Sequence, residues 1–202
     1  METQHRARGI KRFIILIPHR DALKPLDDYR SRLFAAGFCG AYSFPAAAPL
    51  AMVSMPFDRE ELKGLSGNIR KLTNGTEGKI HCSETMLCTF PGKFSFLGLC
   101  LDFPLNESLF PQTARKKILH FPSSPVLCAA IVDSEFLPGG TSRYGGNPIL
   151  NEAPELSFRA ASLANLAIRP LAGGEADYSF EWKIGPAVWL PKYMKKGSGN
   201  GD

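Results

Sequence analysis

The sequence predicts an α+β fold: bilobal, with internally duplicated antiparallel sheets around a central cleft and helices on the outside. Three observations carry that expectation. Residues 49–62, PLAMVSMPFDREEL, are echoed by residues 125–137, PVLCAAIVDSEFL, each a proline, a short apolar run and an acidic stretch closing on leucine. With one gap, Pro49 aligns with Pro125, Asp58 with Asp133, Glu60 with Glu135 and Leu62 with Leu137. β-rich apolar runs outnumber helical stripes along the chain. Finally, 202 residues at 44% hydrophobic and 21% charged suffice for a packed core, as one large domain or two small lobes.

Taken in order, residues 1–11 are a flexible basic lead-in, residues 12–191 the bilobal domain of two pseudo-repeat lobes, and residues 192–202 a flexible tail. Residues 12–18, RFIILIP, form a continuous apolar run, expected as a central strand buried on both faces. A helix follows over residues 27–36, with Leu26, Tyr29, Leu33 and Phe34 as its stripe and Gly37 as its stop. Residues 38–44 are expected as a short strand, broken by Pro45. The first echo strand is residues 50–55. Asp58 and Glu61 then have the spacing of a capping box, opening a helix to about Leu72 with Leu62, Leu65, Ile69 and Leu72 inward.

Residues 79–103 read as a hairpin turning at Pro91-Gly92. Its first strand places His81, Ser83, Thr85 and Thr89 on one face and Ile80, Cys82, Met86, Cys88 and Phe90 on the other. A second helix is expected over residues 106–119, ended by His120 and Pro122, before the second echo strand at residues 126–132. Residues 138–154 are rich in Gly, Asn and Pro around Arg143 and Tyr144, long for a connection in a compact domain. Long strands at residues 157–168 and 178–190 complete the chain, joined through Gly173-Gly174.

The net charge of +5 and pI near 9.0 favour an anionic partner, although Arg6, Arg8, Lys11 and Arg12 place much of the excess at one end. Five cysteines, Cys39, Cys82, Cys88, Cys100 and Cys128, form no CxxC pair and mostly lie in apolar runs. They read as reduced thiols of a cytoplasmic protein, and no Cys/His spacing suits zinc. No metal and no cofactor is expected. The apolar run at residues 13–18 is too short for a signal-peptide core and ends in His19-Arg20-Asp21, without a small-residue cleavage site. No run approaches the length needed to cross a membrane, and no membrane partner is expected.

The layout of the FIILIP strand, the helix after it, the two echo strands and the hairpin between them resembles the 2H phosphoesterase superfamily. That group includes RNA 2′,3′-cyclic phosphodiesterases and 2′-5′ RNA ligase-like proteins. The resemblance spans residues 12–191 and implies a pair of His-x-Thr/Ser motifs, one per lobe, facing each other across the cleft. One histidine would take the proton of the attacking hydroxyl and the other would protonate the leaving oxygen. Here the motif positions fall on Leu50-Ala51-Met52 and Val126-Leu127-Cys128. Leu50, Met52, Val126 and Cys128 would then line the cleft with groups that move no proton, and apolar walls disfavour a phosphate dianion. No catalytic residue is carried over.

The sequence contains one literal His-x-Ser, His81-Cys82-Ser83, whose alternative reading is a solvent-facing strand side. His120 reads as a helix C-terminal residue. His19 and Arg20, just past the first strand, are candidates to meet an anion at a sheet end, as are Arg143 and Tyr144 in the Gly-rich segment. Phe180, Trp182, Trp189 and Tyr193 could stack bases, but aromatics alternating on a strand are more often core. Three functions follow in order. The first is a catalytically degenerate 2H-like protein binding a small anionic ligand, a nucleotide or an RNA end. The second is an active cyclic phosphodiesterase using His81 and Ser83. The third is a protein-interaction module using residues 138–154 or an apolar cleft to hold a protein partner.

Overall fold

The computed structural model describes residues 10–76, 78–90, 94–132, 148–170 and 180–190. Within them the chain forms β1 (Lys11–Pro18), α1 (Leu23–Ala35), β2 (Ala48–Val53), α2 (Arg59–Leu72), β3 (Lys79–Phe90), β4 (Phe94–Leu101), α3 (Gln112–Arg115), β5 (Ile118–His120), β6 (Val126–Val132), β7 (Leu156–Pro170) and β8 (Phe180–Trp189). Every strand pairing is antiparallel. The strands make one continuous eight-stranded sheet, order β5-β2-β1-β7-β3-β4-β6, rather than two separate ones; β8 pairs with β7 beyond the end of β3.

The two echo strands hold matching places in this order. From the β7–β3 junction outward, β1 then β2 lie on one side and β4 then β6 on the other. Both are buried along their whole length. The sheet curls until their flanks meet: the Cys128 N–H donates to the Ala47 carbonyl at 3.0 Å.

Side chains on the two faces of this sheet make two cores. On the helix-bearing face, Leu26, Tyr29 and Leu33 of α1 and Leu62, Leu65 and Ile69 of α2 pack against Ile14, Leu16, Leu50 and Leu163. On the concave face, Phe13, Phe44, Phe90 and Phe96 pack with Met52, Val126, Cys128 and Leu166. Phe13 sits edge-to-face with Phe90 at 5.2 Å, Phe96 at 5.7 Å and Phe44 at 6.3 Å between ring centroids. Such geometry brings positive ring edges to negative ring faces, worth about 0.5–1.5 kcal/mol per pair beyond burial.

The helix ends follow from local chemistry. Asp58 caps α2 by accepting the Glu61 N–H at 2.9 Å, and the Glu61 carboxylate accepts the Asp58 N–H at 2.8 Å. At the end of α1, Gly37 takes φ +96°, where a Cβ would be strained. The Phe38 N–H reaches the Leu33 carbonyl and the Gly37 N–H the Phe34 carbonyl, both at 3.0 Å, closing a Schellman turn.

Several expectations are corrected. Residues 38–44 are not a strand: after the Schellman turn they form a single 3-10 turn at Cys39–Tyr42, which delivers Phe44 into the concave core. The helix expected over residues 106–119 breaks into a turn at Glu107–Leu109, the four-residue α3 and β5. Pro111 explains the break, because its ring clashes with the carbonyl four residues back in a continuous helix. His120 therefore ends a strand opposite Met52, not a helix. Phe34 and Leu72, expected inward, are exposed. Phe34 leans on Tyr42, centroids 6.2 Å apart, and Leu72 is the last residue of α2. The lead-in up to residue 9, the tail from residue 191, most of residues 138–154 and the Gly173-Gly174 junction lie outside the described residues.

Candidate anion-binding notch

The four expected cleft positions do not share one face. The β1–β2 ladder shifts register between Ile14 and Ile15, pairing Pro49 with Ile15 and Ala51 with Ile14, so Leu50 has no partner of its own. Leu50 joins the helix-side core, whereas Met52, Val126 and Cys128 join the concave core. There Met52 is 4% exposed and Val126 and Cys128 are 0% exposed, so these three line packed hydrocarbon rather than an open cleft. The concave side is closed by the aromatic cluster. Burial pushes the Cys128 thiol up to about 12, against a partial counter-effect of the nearby Arg30 guanidinium.

Arg30 fixes this closure from the helix side. Its guanidinium is buried, donating from Nε to the Ala129 carbonyl at 3.2 Å and from Nη2 to the Phe44 carbonyl, with Asp27 3.9 Å away. It ties α1 to β6 and to the segment that carries Phe44. A buried cation persists only with such acceptors.

An open site does exist elsewhere. β3 and β8 lie end to end along the same edge of β7. Lys79 of β3 pairs with Arg159, Trp189 of β8 pairs with Ser162, and the Leu190 N–H reaches the Ala161 carbonyl at 2.8 Å. Between the two strand ends opens a notch of about 850 Å³, walled by His19, Ile69, Arg70, Thr73, Lys79, Ser157, Phe158, Arg159, Trp189 and Leu190, among others.

Each polar wall residue is placed by local structure. The His19 N–H donates to the Arg159 carbonyl at 2.7 Å, holding the end of β1 beside β7. Arg70 lies in the last turn of α2, where cations complement the carbonyl end of the helix. Lys79, His81 and Ser83 alternate on the exposed face of β3, opposite the buried Ile80 and Cys82. Register places Lys79 beside Arg159 and His81 beside Ser157 on that face, at side-chain contact range for directly paired strand residues.

Among the described residues no Asp or Glu is a wall of the notch, and no described carboxylate pairs with Arg70, Lys79 or Arg159. Trp189 is 78% exposed, leaving an aromatic face at the rim. Such a site can accept a phosphate or carboxylate and a flat ring. Among the described residues no group of three or more His, Cys, Asp or Glu could hold a metal ion. No described helix is long and apolar enough to cross a membrane.

The notch collects only some of the candidates. His19 lines it. Arg20 is exposed on the neighbouring turn but is not a wall residue. His81 and Ser83 continue the same β3 face beyond it, and Ser83 stops at a bulge where Glu84 takes φ 54°. Arg143 and Tyr144 lie outside the described residues. Trp182 and Trp189, expected as core, are exposed; among the described strands β8 pairs with β7 only, and the core-facing residues there are Val188 and Leu190 instead. Arg70, Lys79 and Arg159 were missed. Nothing local singles them out; the β3–β7 pairing brings Lys79 beside Arg159, and Arg70 borders the notch from the end of α2.

The class that these features define is a curled antiparallel sheet with outer helices, a sealed concave core and a basic notch at a strand junction. No family model matches the chain, and no curated protein is similar to it. Among solved structures, it is similar to Usb1 of Kluyveromyces marxianus with uridine monophosphate, at 12% identity and TM-score 0.35. It is also similar to a second structure of Kluyveromyces marxianus Usb1, at 13% identity and TM-score 0.37. Each match covers 87% of this chain and 98% of the other.

Proposed function

We propose that this chain is a 2H-like, internally duplicated scaffold that has given up phosphodiester chemistry and binds a small phosphorylated ligand, of the nucleotide or RNA-end class, in the notch between β3 and β8. The observation that carries the reading is the pairing of Lys79 with Arg159 on one exposed face at an open site, with no carboxylate among its described walls. Cations held close together repel one another, and an anionic ligand relieves that repulsion. The degenerate half of the reading is supported by Met52, Val126 and Cys128, which stand in a dry aromatic core where two facing proton-transfer groups would be needed. Five free thiols fit a reducing, cytoplasmic setting.

Calorimetric titration with uridine 5′-monophosphate and a short oligouridylate tests the binding half. We expect saturable binding that weakens as salt rises, and weakens roughly tenfold or more in the Lys79→Ala, Arg159→Ala double variant. Absence of binding to both probes would remove this reading. The chemical half is tested with 2′,3′-cyclic uridine monophosphate. No turnover is expected; turnover that disappears in His81→Ala would replace degeneracy by catalysis at His81 and Ser83.

A further inference from the structure

We infer that the exposed face of β3, β7 and β8 reads one terminal nucleotide, with its base on Trp189 and its phosphate between Lys79 and Arg159, and rejects a strand that runs on past that phosphate. The inference rests on the proposed function above and adds the orientation and the requirement for an end.

The orientation follows from register. Trp189 pairs with Ser162, and Lys79 pairs with Arg159, three positions away along β7. Three strand residues span roughly 10 Å, about the reach from the base to the phosphate of one nucleotide. Trp189, Lys79 and Arg159 also project from the same side. Ser157 and Arg159 are exposed opposite the buried Leu156 and Phe158, and the register shift between Ile17 and Pro18 restores Ser162 to that side. A flat base stacks on indole whatever its identity, while two cations suit the doubly charged phosphate monoester found at a strand end.

The requirement for an end follows from what lies beyond. The next rung on this face is His81 with Ser157, and the one after is Ser83 with Cys100. Glu84 and Asp102 stand there. The Asp102 N–H donates to the His81 carbonyl at 2.8 Å, and both carboxylates act on the Cys100 thiol, adding to the upward push of burial. A further phosphodiester would therefore meet two negative charges within about two strand rungs of Lys79, roughly 13 Å. The face changes sign along its length, from cations beside Trp189 to acids beyond His81. A continuous polyanion does not fit such a gradient, and a terminal one does.

The probes are inorganic phosphate, uridine, uridine 5′-monophosphate, a linear hexauridylate carrying a terminal phosphate monoester, and the same hexauridylate circularised, each titrated calorimetrically into the full chain. We expect the linear oligomer and the mononucleotide to bind similarly and the circle at least tenfold more weakly. Trp189→Ala should weaken the mononucleotide roughly ten- to a hundredfold and leave inorganic phosphate unchanged. Glu84→Gln with Asp102→Asn should raise the affinity for the circle. Equal affinity for linear and circular oligomers, or a Trp189→Ala variant that binds uridine 5′-monophosphate normally, overturns the inference while leaving anion binding intact. Failure of every phosphate-bearing probe overturns the proposed function itself. Thermal melting of each variant separates a lost contact from a lost fold.

Discussion

At the residue scale, one amide has more influence than its size suggests. The Asn165 side chain accepts the Phe57 N–H at 2.7 Å and donates to the Phe57 carbonyl at 2.8 Å, both buried. It satisfies both backbone groups of a residue that no strand pairs, and thereby docks the start of α2 on β7. Leucine in its place would leave a buried donor and acceptor unmet, at about 1–3 kcal/mol each. Asn165→Leu is expected to lower unfolding free energy by about 2–4 kcal/mol in urea titration, with little change in slope. An unchanged midpoint would show that the segment rearranges freely. The thiols sort by the same local logic. Cys39 is exposed, whereas Cys82, Cys88 and Cys128 are buried and each is pushed up to about 12, chiefly by desolvation. A charged disulfide reagent at neutral pH is expected to modify Cys39 rapidly and these three only after denaturant is added. Counting released chromophore with time checks this.

At the element scale, the β4–β6 ladder depends on one missing Cβ. Gly98 pairs with Cys128 at a register shift, and a Cβ there would lie 2.2 Å from the Leu127 carbonyl oxygen. Backbone cannot yield as a side-chain tip can, so β6 would have to move away. Gly98→Ala is expected to cost about 2 kcal/mol or more, read as a lower melting temperature. Because β6 closes the concave core through Cys128 and Ala47, the same variant should expose Cys128 to the thiol reagent. The α2 cap shows how elements interlock: Lys117 reaches the Glu61 carboxylate at 2.6 Å in a half-dry setting, tying the turn before β5 to the capping box.

At the scale of the whole molecule, the buried thiols give the fold an alkaline limit. Their folded values stand at about 12 against 9.0 for an ordinary thiol. Between those two values the unfolded chain releases protons that the folded chain retains. Stability is therefore full below about pH 9 and falls as pH rises toward 12, by up to about 1.4 kcal/mol per thiol per pH unit. Urea midpoints measured from pH 7 to 11 are expected to fall above pH 9, with a shallower fall in Cys88→Ala. A flat profile would mean that the thiols ionise in place.

The chain by itself determined the elements whose causes are local. The FIILIP run, the Asp58–Glu61 capping box, the stop at Gly37 and the pairing of β3 with β4 appear as expected, because propensity and capping act over a few residues. The expected faces of β3 do not: the bulge at Glu84 leaves Ile80 and Cys82 in the helix-side core and sends Cys88 and Phe90 to the concave core. The echo strands were legible as strands for the same reason. Tertiary structure alone decided what those strands face. A one-residue shift between Ile14 and Ile15 sent Leu50 to the helix side and left Met52 beneath the phenylalanines. It also decided the notch, since Arg70, Lys79, Arg159 and Trp189 come from four elements. Side-chain direction on a strand reverses with each residue, so a single bulge or a distant pairing outweighs any pattern that adjacent residues can carry.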